Sequence, residues 1–179
     1  KLKKLSYSPV SMRDTLIHHI HVEKKHAEEG KPAAIWAKLN ALVDQKIIDE
    51  LYLASQAGVK IHLIVRGICC LQPGIPGVSD NIQVKSLVGR FLEHSRIVCF
   101  SHGHDLPSAH AKVFISSADW MPRNFDWRFE SLVPIENETV KSQILDQIMM
   151  ACLKDVANSW RLLPDGTYEQ MDAQGEGFN

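Results

Sequence analysis

The spacing of apolar and polar residues divides the first half of the chain into alternating helices and strands. Apolar residues recur at helical spacing from Ser11 to Gly30, and a short apolar run from Ala33 to Leu39 is typical of a buried strand. Asp44 is placed to cap a second helix that ends before Gly58, and β-branched residues from Val59 to Val65 predict another strand. Strand, helix and strand joined by short connections imply a parallel, right-handed βαβ unit.

The second half of the chain is richer in strands and ends in a helix. The Pro- and Gly-containing stretch from Gln72 to Asn81 predicts a loop, and apolar spacing from Asn137 to Ser159 predicts a long amphipathic helix. We predict an α/β fold, a mixed β-sheet flanked by helices, with a folded lobe over residues 1–165 and a polar, fraying tail over 166–179. The further predicted strands are Ile82 to Val88, Ser95 to Phe100, Lys112 to Ser116 and Trp127 to Val133.

Composition limits the classes of function that the chain can have. Hydrophobic residues are 45% and charged residues 23%, as in an ordinary globular core with a polar surface. The formal net charge of −1 argues against a non-specific nucleic-acid binder but allows a local phosphate site. The four cysteines show no C-x-x-C spacing, which favours reduced thiols in a cytosolic protein over a zinc or redox site. The chain starts without methionine, which suggests a piece of a longer protein.

Two candidate site residues, Arg66 and His94, lie beside predicted strands. Arg66 ends a strand, where α/β sheets bind ligands, and a guanidinium suits phosphate oxygens. The alternative is an exposed arginine or a structural ion pair. His94 precedes the strand at Ser95 and could donate to phosphate or transfer protons near neutral pH, unless it is merely a solvated loop residue.

A third candidate segment runs from Ser116 to Asn124 and follows another predicted strand. Its small residues would let backbone N–H groups approach a ligand, and Arg123 would add positive charge. Asn124 could donate from its amide, and Asp119 is a further candidate. Turn chemistry selects similar residues, so Asp119 could instead cap a turn while Arg123 lies on the surface.

Short sequence motifs give weaker evidence about the reaction chemistry than the candidate residues above. His110-Ala111-Lys112 matches the H-x-K core of the phospholipase D superfamily, in which a histidine attacks phosphorus, so His110 and Lys112 are second-tier candidates. The spacing to Asp119 is longer than is usual in that superfamily. The chain has no Walker P-loop and no protein-kinase H-R-D or D-F-G motif.

Four longer phrases run from Ala54 to Ile61, from Leu63 to Leu71, from Phe91 to Ile97 and from Val113 to Met121. Together these phrases resemble the polyphosphate kinase family. Pro134-Ile135 and the segment from Gln147 to Trp160, interpreted as helical, also fit, and the likeness extends over nearly the whole chain except the tail. Long phrases in a shared order are far more specific than any three-residue motif.

The resemblance implies the C-terminal catalytic lobe of an enzyme that reversibly transfers the γ-phosphate of ATP to polyphosphate. It implies one half of a phospholipase D-like fold, with Arg66, His94 and Arg123 holding the phosphates and His94 also catalytic. The phosphorylated histidine and the ligands of the Mg²⁺ that accompanies ATP are expected in other parts of the full chain. The expected partners are ATP, ADP, polyphosphate and the rest of the kinase chain, in a homo-oligomer without nucleic acid. The expected location is the cytoplasm, with peripheral attachment to the inner membrane face left open.

Two departures from the family pattern keep alternatives open. Trp127 stands where the family usually has a basic residue, and the loop 101–109 is histidine-rich and longer than expected. One alternative is a phospholipase D-like phosphodiesterase or nuclease half that uses His110 and Lys112. Another is a nucleotide- or polyphosphate-binding module without turnover, which is compatible with an isolated kinase lobe.

Overall fold

The computed structural model describes residues 5–90 and 93–171, and these residues build one mixed β-sheet with helices on both faces. The strands are β1 (Ser6–Tyr7), β2 (Ala34–Leu39), β3 (Lys60–Val65), β4 (Ile82–Leu87), β5 (Ile97–Phe100), β6 (Lys112–Ser116), β7 (Ser131–Pro134), β8 (Ser159–Leu162) and β9 (Tyr168–Gln170). The helices are α1 (Met12–Glu28), α2 (Gln45–Gln56), α3 (Pro122–Asp126), α4 (Glu138–Ser142) and α5 (Met150–Lys154). A π-helical segment, Gln143–Met149, joins α4 to α5, and we call 138–154 the C-terminal helical segment.

The sheet combines a parallel centre with antiparallel flanks. Its strand order is β1-β7-β6-β5-β2-β3-β4-β8-β9. β2 pairs in parallel with β3, and β3 pairs in parallel with β4, which confirms the predicted parallel βαβ unit. All the other neighbouring strands are antiparallel.

Each face of the sheet carries its own apolar core. Alternate residues of β2 separate the two cores: Ile35 and Ala37 pack with α1 and α2, whereas Trp36 packs beneath the C-terminal helical segment. This alternation is the period-2 pattern of a strand that is buried on both faces. The predicted cap of α2 is confirmed, because Asp44 Oδ1 accepts a hydrogen bond from Ile47 N at 3.1 Å.

The C-terminal helical segment ends earlier than the predicted helix, which extended to Ser159. Lys85 on β4 is fully buried, and its Nζ donates to the carbonyl oxygens of Leu153 at 2.8 Å and Asp155 at 2.7 Å. Asp155 has extended backbone angles, and the chain then forms β8, where Ser159 lies opposite Leu87. Sheet pairing therefore overrides the helical periodicity in this part of the chain.

The predicted strand from Trp127 to Val133 is wrong in its first half, since β7 begins only at Ser131. Ser8 holds the residues just before β7 in a loop: its Oγ donates to Arg128 O at 2.6 Å and accepts from Glu130 N at 3.0 Å. Trp127 is 85% exposed in consequence.

The segment after Pro164 is more ordered than the predicted fraying tail. Residues Tyr168–Gln170 form β9 and pair with β8, with Tyr168 opposite Leu162. Residues 172–179, the rest of that predicted tail, lie outside the described residues. None of the helices in the described ranges is long and apolar enough to cross a membrane.

Candidate functional site

Several strand ends meet at one edge of the sheet, which we call the carboxyl edge. β2, β3 and β4 run in parallel, and two antiparallel steps through β5 give β6 the same direction. The connections that follow β3 and β6, and the one that precedes β5, therefore share this edge. They carry Arg66, Arg123 and His94, so the structure places all three at the carboxyl edge. Because β2 separates β3 from β5, the strands beside Arg66 and His94 are about 10 Å apart.

Arg66 is half-buried directly after β3. Its backbone N donates to Leu39 O at 3.1 Å, and its carbonyl accepts from Ser86 Oγ at 3.0 Å. A Cβ on Gly67 would lie 3.0 Å from the backbone oxygen of Asn40, so glycine permits this close approach of two strand ends. No side chain within residues 5–90 and 93–171 pairs with the Arg66 guanidinium.

His94 is exposed, but its neighbours in the chain are tethered. Lys38 Nζ donates to Ser95 Oγ at 2.8 Å and lies 3.1 Å from Glu93 Oε1. Hydrogen bonds from Ser95, together with the Lys38 ammonium, lower the pKa of Glu93 to about 2. Phe91 and Leu92, which belong to the same sequence phrase, lie outside the described residues.

Arg96 was not among the predicted site residues, although it stands two positions after His94. Its guanidinium donates to both carboxylate oxygens of Asp119 at 3.1 Å, and to His94 O at 3.2 Å. Asp119 is buried and also accepts from the backbone nitrogens of Asn40 at 2.8 Å and Ala41 at 3.3 Å. The Asp119 charge is thereby committed to holding strand ends together. The signal that could have identified Arg96 is the spacing His94-x-Arg96, which resembles H-x-K with arginine in place of lysine.

Arg123 and Asn124 are neighbours on α3 with opposite environments. Arg123 is exposed, and no described residue pairs with its guanidinium. Asn124 is buried and donates through Nδ2 to Glu130 Oε1 at 2.9 Å. The other oxygen of Glu130 accepts from Ser117 Oγ, so this small network joins the end of β6 to the start of β7.

Comparisons with known proteins show the family of this chain. Residues 5–178 match the family described as polyphosphate kinase C-terminal domain 2. The chain belongs to this family. It is 52% identical over 179 residues to a polyphosphate kinase of Erythrobacter litoralis, and 46% identical over 170 residues to one of Rhodopirellula baltica. These two matches span 100% and 95% of this chain, but only 25% and 19% of the length of the relatives.

Solved structures confirm the predicted fold class. The crystal structure of polyphosphate kinase from Porphyromonas gingivalis matches with a TM-score of 0.90 and 37% identity, over 100% of this chain and 27% of that chain. A phospholipase D family member, Nuc from Salmonella typhimurium, matches with a TM-score of 0.56 and 13% identity, over 80% and 89% of the two chains. At that identity the second likeness concerns the fold alone.

The H-x-K residues of this polyphosphate kinase domain lie at the opposite edge of the sheet. Lys112 begins β6 and pairs with Phe100 at the end of β5, whereas the carboxyl edge lies beyond Ser116. The His110 ring stacks on His104 with ring centroids 4.0 Å apart. The five residues of β6 hold the H-x-K residues about 13 Å from the carboxyl edge.

The same opposite edge contains a cavity of about 430 Å³. Its walls include Lys60, Lys154 and His104, and burial lowers the pKa of His62, another wall residue, to about 4. None of the seven predicted site residues lines this cavity. In the described ranges, no group of three or more His, Cys, Asp or Glu side chains is arranged to hold a metal ion.

Proposed function

We propose that this chain is the C-terminal lobe of a polyphosphate kinase, which reversibly transfers the γ-phosphate of ATP to polyphosphate. Its share of the reaction is to hold phosphate groups at the carboxyl edge with Arg66, His94 and Arg123. The observation that supports this proposal is an excess of unpaired positive charge at the carboxyl edge. Both arginines lack acidic partners among the described residues, while Glu93 and Asp119 are engaged by Lys38 and Arg96. The edge therefore offers uncompensated donors to an anion.

The chemistry of phosphoryl transfer suits such an edge. The transferring group needs in-line positioning and spread-out neutralisation of charge more than covalent chemistry from this lobe. Arginine forks present paired N–H donors to phosphate oxygens. The exposed imidazole of His94 is placed to donate a hydrogen bond to a phosphate oxygen or to give and take a proton there. We place the phosphorylated histidine in the preceding lobe of the full kinase.

Magnesium would neutralise the charge of the ATP phosphates, but the described residues do not fit a magnesium site. The carboxylates nearest to His94 already accept hydrogen bonds from cationic side chains. Magnesium is usually held by one or two carboxylates together with substrate phosphates, and a carboxylate that is engaged by a cationic side chain is a poor ligand for it. We therefore assign the ligands of magnesium to other parts of the kinase.

Partners and location follow from the same proposal. We infer that ATP, ADP and polyphosphate are the substrates, and that this lobe works with the remaining kinase chain in a homo-oligomer. The net charge of −1 does not favour nucleic acid as a partner. We place the protein in the cytoplasm, which holds ATP.

The proposed phosphate contacts predict the behaviour of two variants in the complete kinase. Arg66→Ala should weaken ATP binding about ten- to hundredfold, because a charged hydrogen bond is lost. His94→Ala should lower kcat about 10²-fold or more if the imidazole transfers a proton. Binding is measured by calorimetry, and turnover by polyphosphate formation from ATP.

Arg161→Ala is the matched control, because Arg161 is an exposed arginine on β8 in the antiparallel flank of the sheet. It should leave both measurements unchanged. Wild-type affinity and turnover in both Arg66→Ala and His94→Ala would refute the proposed function. Hydrolysis of bis-nitrophenyl phosphate that depends on His110 would instead support the phosphodiesterase alternative, which the separation of His110 from the carboxyl edge disfavours.

A further inference from the structure

Lys38 is a buried cation directly behind the carboxyl edge. It is 4% exposed, although lysine is rarely buried without a partner. Along β2 it alternates with Ala37 and Leu39, which belong to the core under α1 and α2. Its side chain therefore points to the other face of the sheet, where the C-terminal helical segment packs. A buried ammonium is costly unless it is paired and hydrogen-bonded, so its partners show what it is for.

Both partners of Lys38 flank His94 in the chain. Lys38 Nζ donates to Ser95 Oγ at 2.8 Å and lies 3.1 Å from Glu93 Oε1. Glu93 Oε1 also accepts from Ser95 N at 3.1 Å and from Ser95 Oγ at 2.6 Å. One ammonium thus closes a small ring of hydrogen bonds around the backbone that carries the imidazole.

The third tether of this segment is Arg96. It donates to His94 O at 3.2 Å while Asp119 holds its guanidinium. The His94 ring itself has no partner among the described residues, so its position depends on the backbone that carries it. Consecutive tethers at Glu93, Ser95 and Arg96 leave that backbone little freedom, which is the support that an exposed catalytic side chain requires.

We propose that Lys38 is a positioning residue for His94: it fixes the histidine backbone through Glu93 and Ser95 and holds the Glu93 carboxylate as its own partner. This inference rests on the proposed function, because it assigns Lys38 to the reaction in which His94 takes part. Lys38 itself does not touch the substrate. Its influence passes through the two neighbours of His94.

Removing the ammonium should change the reaction in a characteristic way. In Lys38→Met the Glu93 carboxylate loses its cationic partner next to His94, which favours the protonated imidazole. The limb of the kcat/KM profile that reports His94 should move to higher pH. A loosened histidine should also lower kcat about ten- to hundredfold. Lys38→Arg, which keeps charge and donors, should restore part of the rate and the position of the limb.

Lys85→Met is the matched control, since Lys85 is also a buried lysine on the same face of the sheet. Lys85 Nζ donates to the carbonyls of Leu153 and Asp155 rather than to residues beside His94. Lys85→Met should lower Tm and leave the pH profile of the complete kinase in place. A merely structural Lys38 would behave in the same way.

The decisive measurement is a double-mutant cycle in the complete kinase. In a His94→Ala background, Lys38→Met should cause no further loss of rate, because its effect passes through the imidazole. Ser95→Ala is a milder variant that tests the same path if Lys38→Met does not fold. It should lower the rate alone and not in the His94→Ala background.

The outcomes separate the two proposals. An additive loss in the double mutant, or an unmoved pH profile in Lys38→Met, overturns the role of Lys38 while His94 keeps its own. Full activity in His94→Ala overturns the role of His94 and that of Lys38 with it, and the proposed function falls only if Arg66→Ala also keeps wild-type affinity and turnover.

Discussion

Single residues at the carboxyl edge differ in whether their polar side chains are already paired within the protein. Asp119 and Asn124 were predicted from their place after a strand, yet both are buried and hydrogen-bonded within the protein. Arg66 and Arg123 keep guanidinium groups without partners in the described ranges. Burial explains the difference, since a buried polar group must be hydrogen-bonded within the protein, whereas an exposed cation is solvated by water and stays available to bind an anion. The roles of these residues remain predictions.

His19 shows the same principle with an energetic consequence. It lies on α1, half-buried against Phe100 and Phe114, with ring centroids 5.0 Å from each. Burial, with nearby positive groups, lowers the pKa of His19 from 6.5 to about 4. The unfolded chain therefore binds more protons than the folded chain between these two pKa values. Stability present above pH 6.5 should be lost as pH falls from 6.5 towards 4.

We predict that His19→Phe reduces this acid-dependent loss of stability. The measurement is Tm against pH for the variant and the wild type. Some slope should remain, because burial also lowers the pKa of His62 to about 4. His94→Gln is the control, since His94 is exposed and its replacement removes no buried group. A slope unaltered by His19→Phe would contradict the burial argument.

At the scale of elements, the C-terminal helical segment depends on a side chain from the sheet. Helix ends leave carbonyl oxygens without partners, and cations are favourable beside them. Lys85 supplies both donors and charge to this end from within the core. The amphipathic pattern continues past Lys154, so the helix stops where it does because of Lys85 and of the pairing of β8 with β4.

Lys85→Met should lower the free energy of unfolding by about 1–3 kcal/mol, because buried carbonyl groups lose their donor. Urea unfolding of the complete domain measures this change. Lys154→Met, an exposed lysine on the last turn of α5, is the control and should have little effect. Equal stabilities for Lys85→Met and wild type would show that the hydrogen bonds from Lys85 to the end of the C-terminal helical segment do not contribute to the free energy of unfolding.

At the scale of the whole molecule, Arg13 links the helical layer to the carboxyl edge. Its guanidinium donates to both oxygens of Asp126 at 2.7 and 2.9 Å and to Asp44 at 2.8 Å. It also lies 5.0 Å from the centroid of Phe125. These contacts join α1, the cap of α2 and α3, and α3 carries Arg123. The bonds to Asp126 are the main cause that raises the pKa of Arg13 above its usual range.

We predict that Arg13→Leu destabilises the domain by about 3 kcal/mol, because the buried Asp44 loses its cationic partner. Amide hydrogen exchange should speed up over residues 122–130, where α3 loses its anchor. Arg128→Leu, an exposed side chain in the same segment, should leave exchange there unchanged. Normal protection in Arg13→Leu would mean that the core does not hold α3 through this residue.

How much of this protein could be predicted from its sequence depends on the range of the forces involved. Strand β6 and the Asp44 cap follow from local period and capping chemistry, and both are found as predicted. The residues from Trp127 to Glu130, predicted as strand, and those from Asp155 to Ser159, predicted as helix, were misassigned. Ser8 at the other end of the chain and Leu87 on a distant strand decide their conformation, and no local pattern contains that information.

The sequence by itself determined helices α1 and α2, strands β2 to β6, the parallel centre of the sheet and the family, because apolar period and long phrases are properties of neighbouring residues. Only the tertiary structure decided which charges remain available at the carboxyl edge. Lys38, Arg96 and Asp119 lie far apart from their partners along the chain and acquire them through the stacking of strands. Pairing of buried charges is a property of the folded state, and it separates the tethered side chains at the carboxyl edge from the unpaired groups that we propose bind a phosphate.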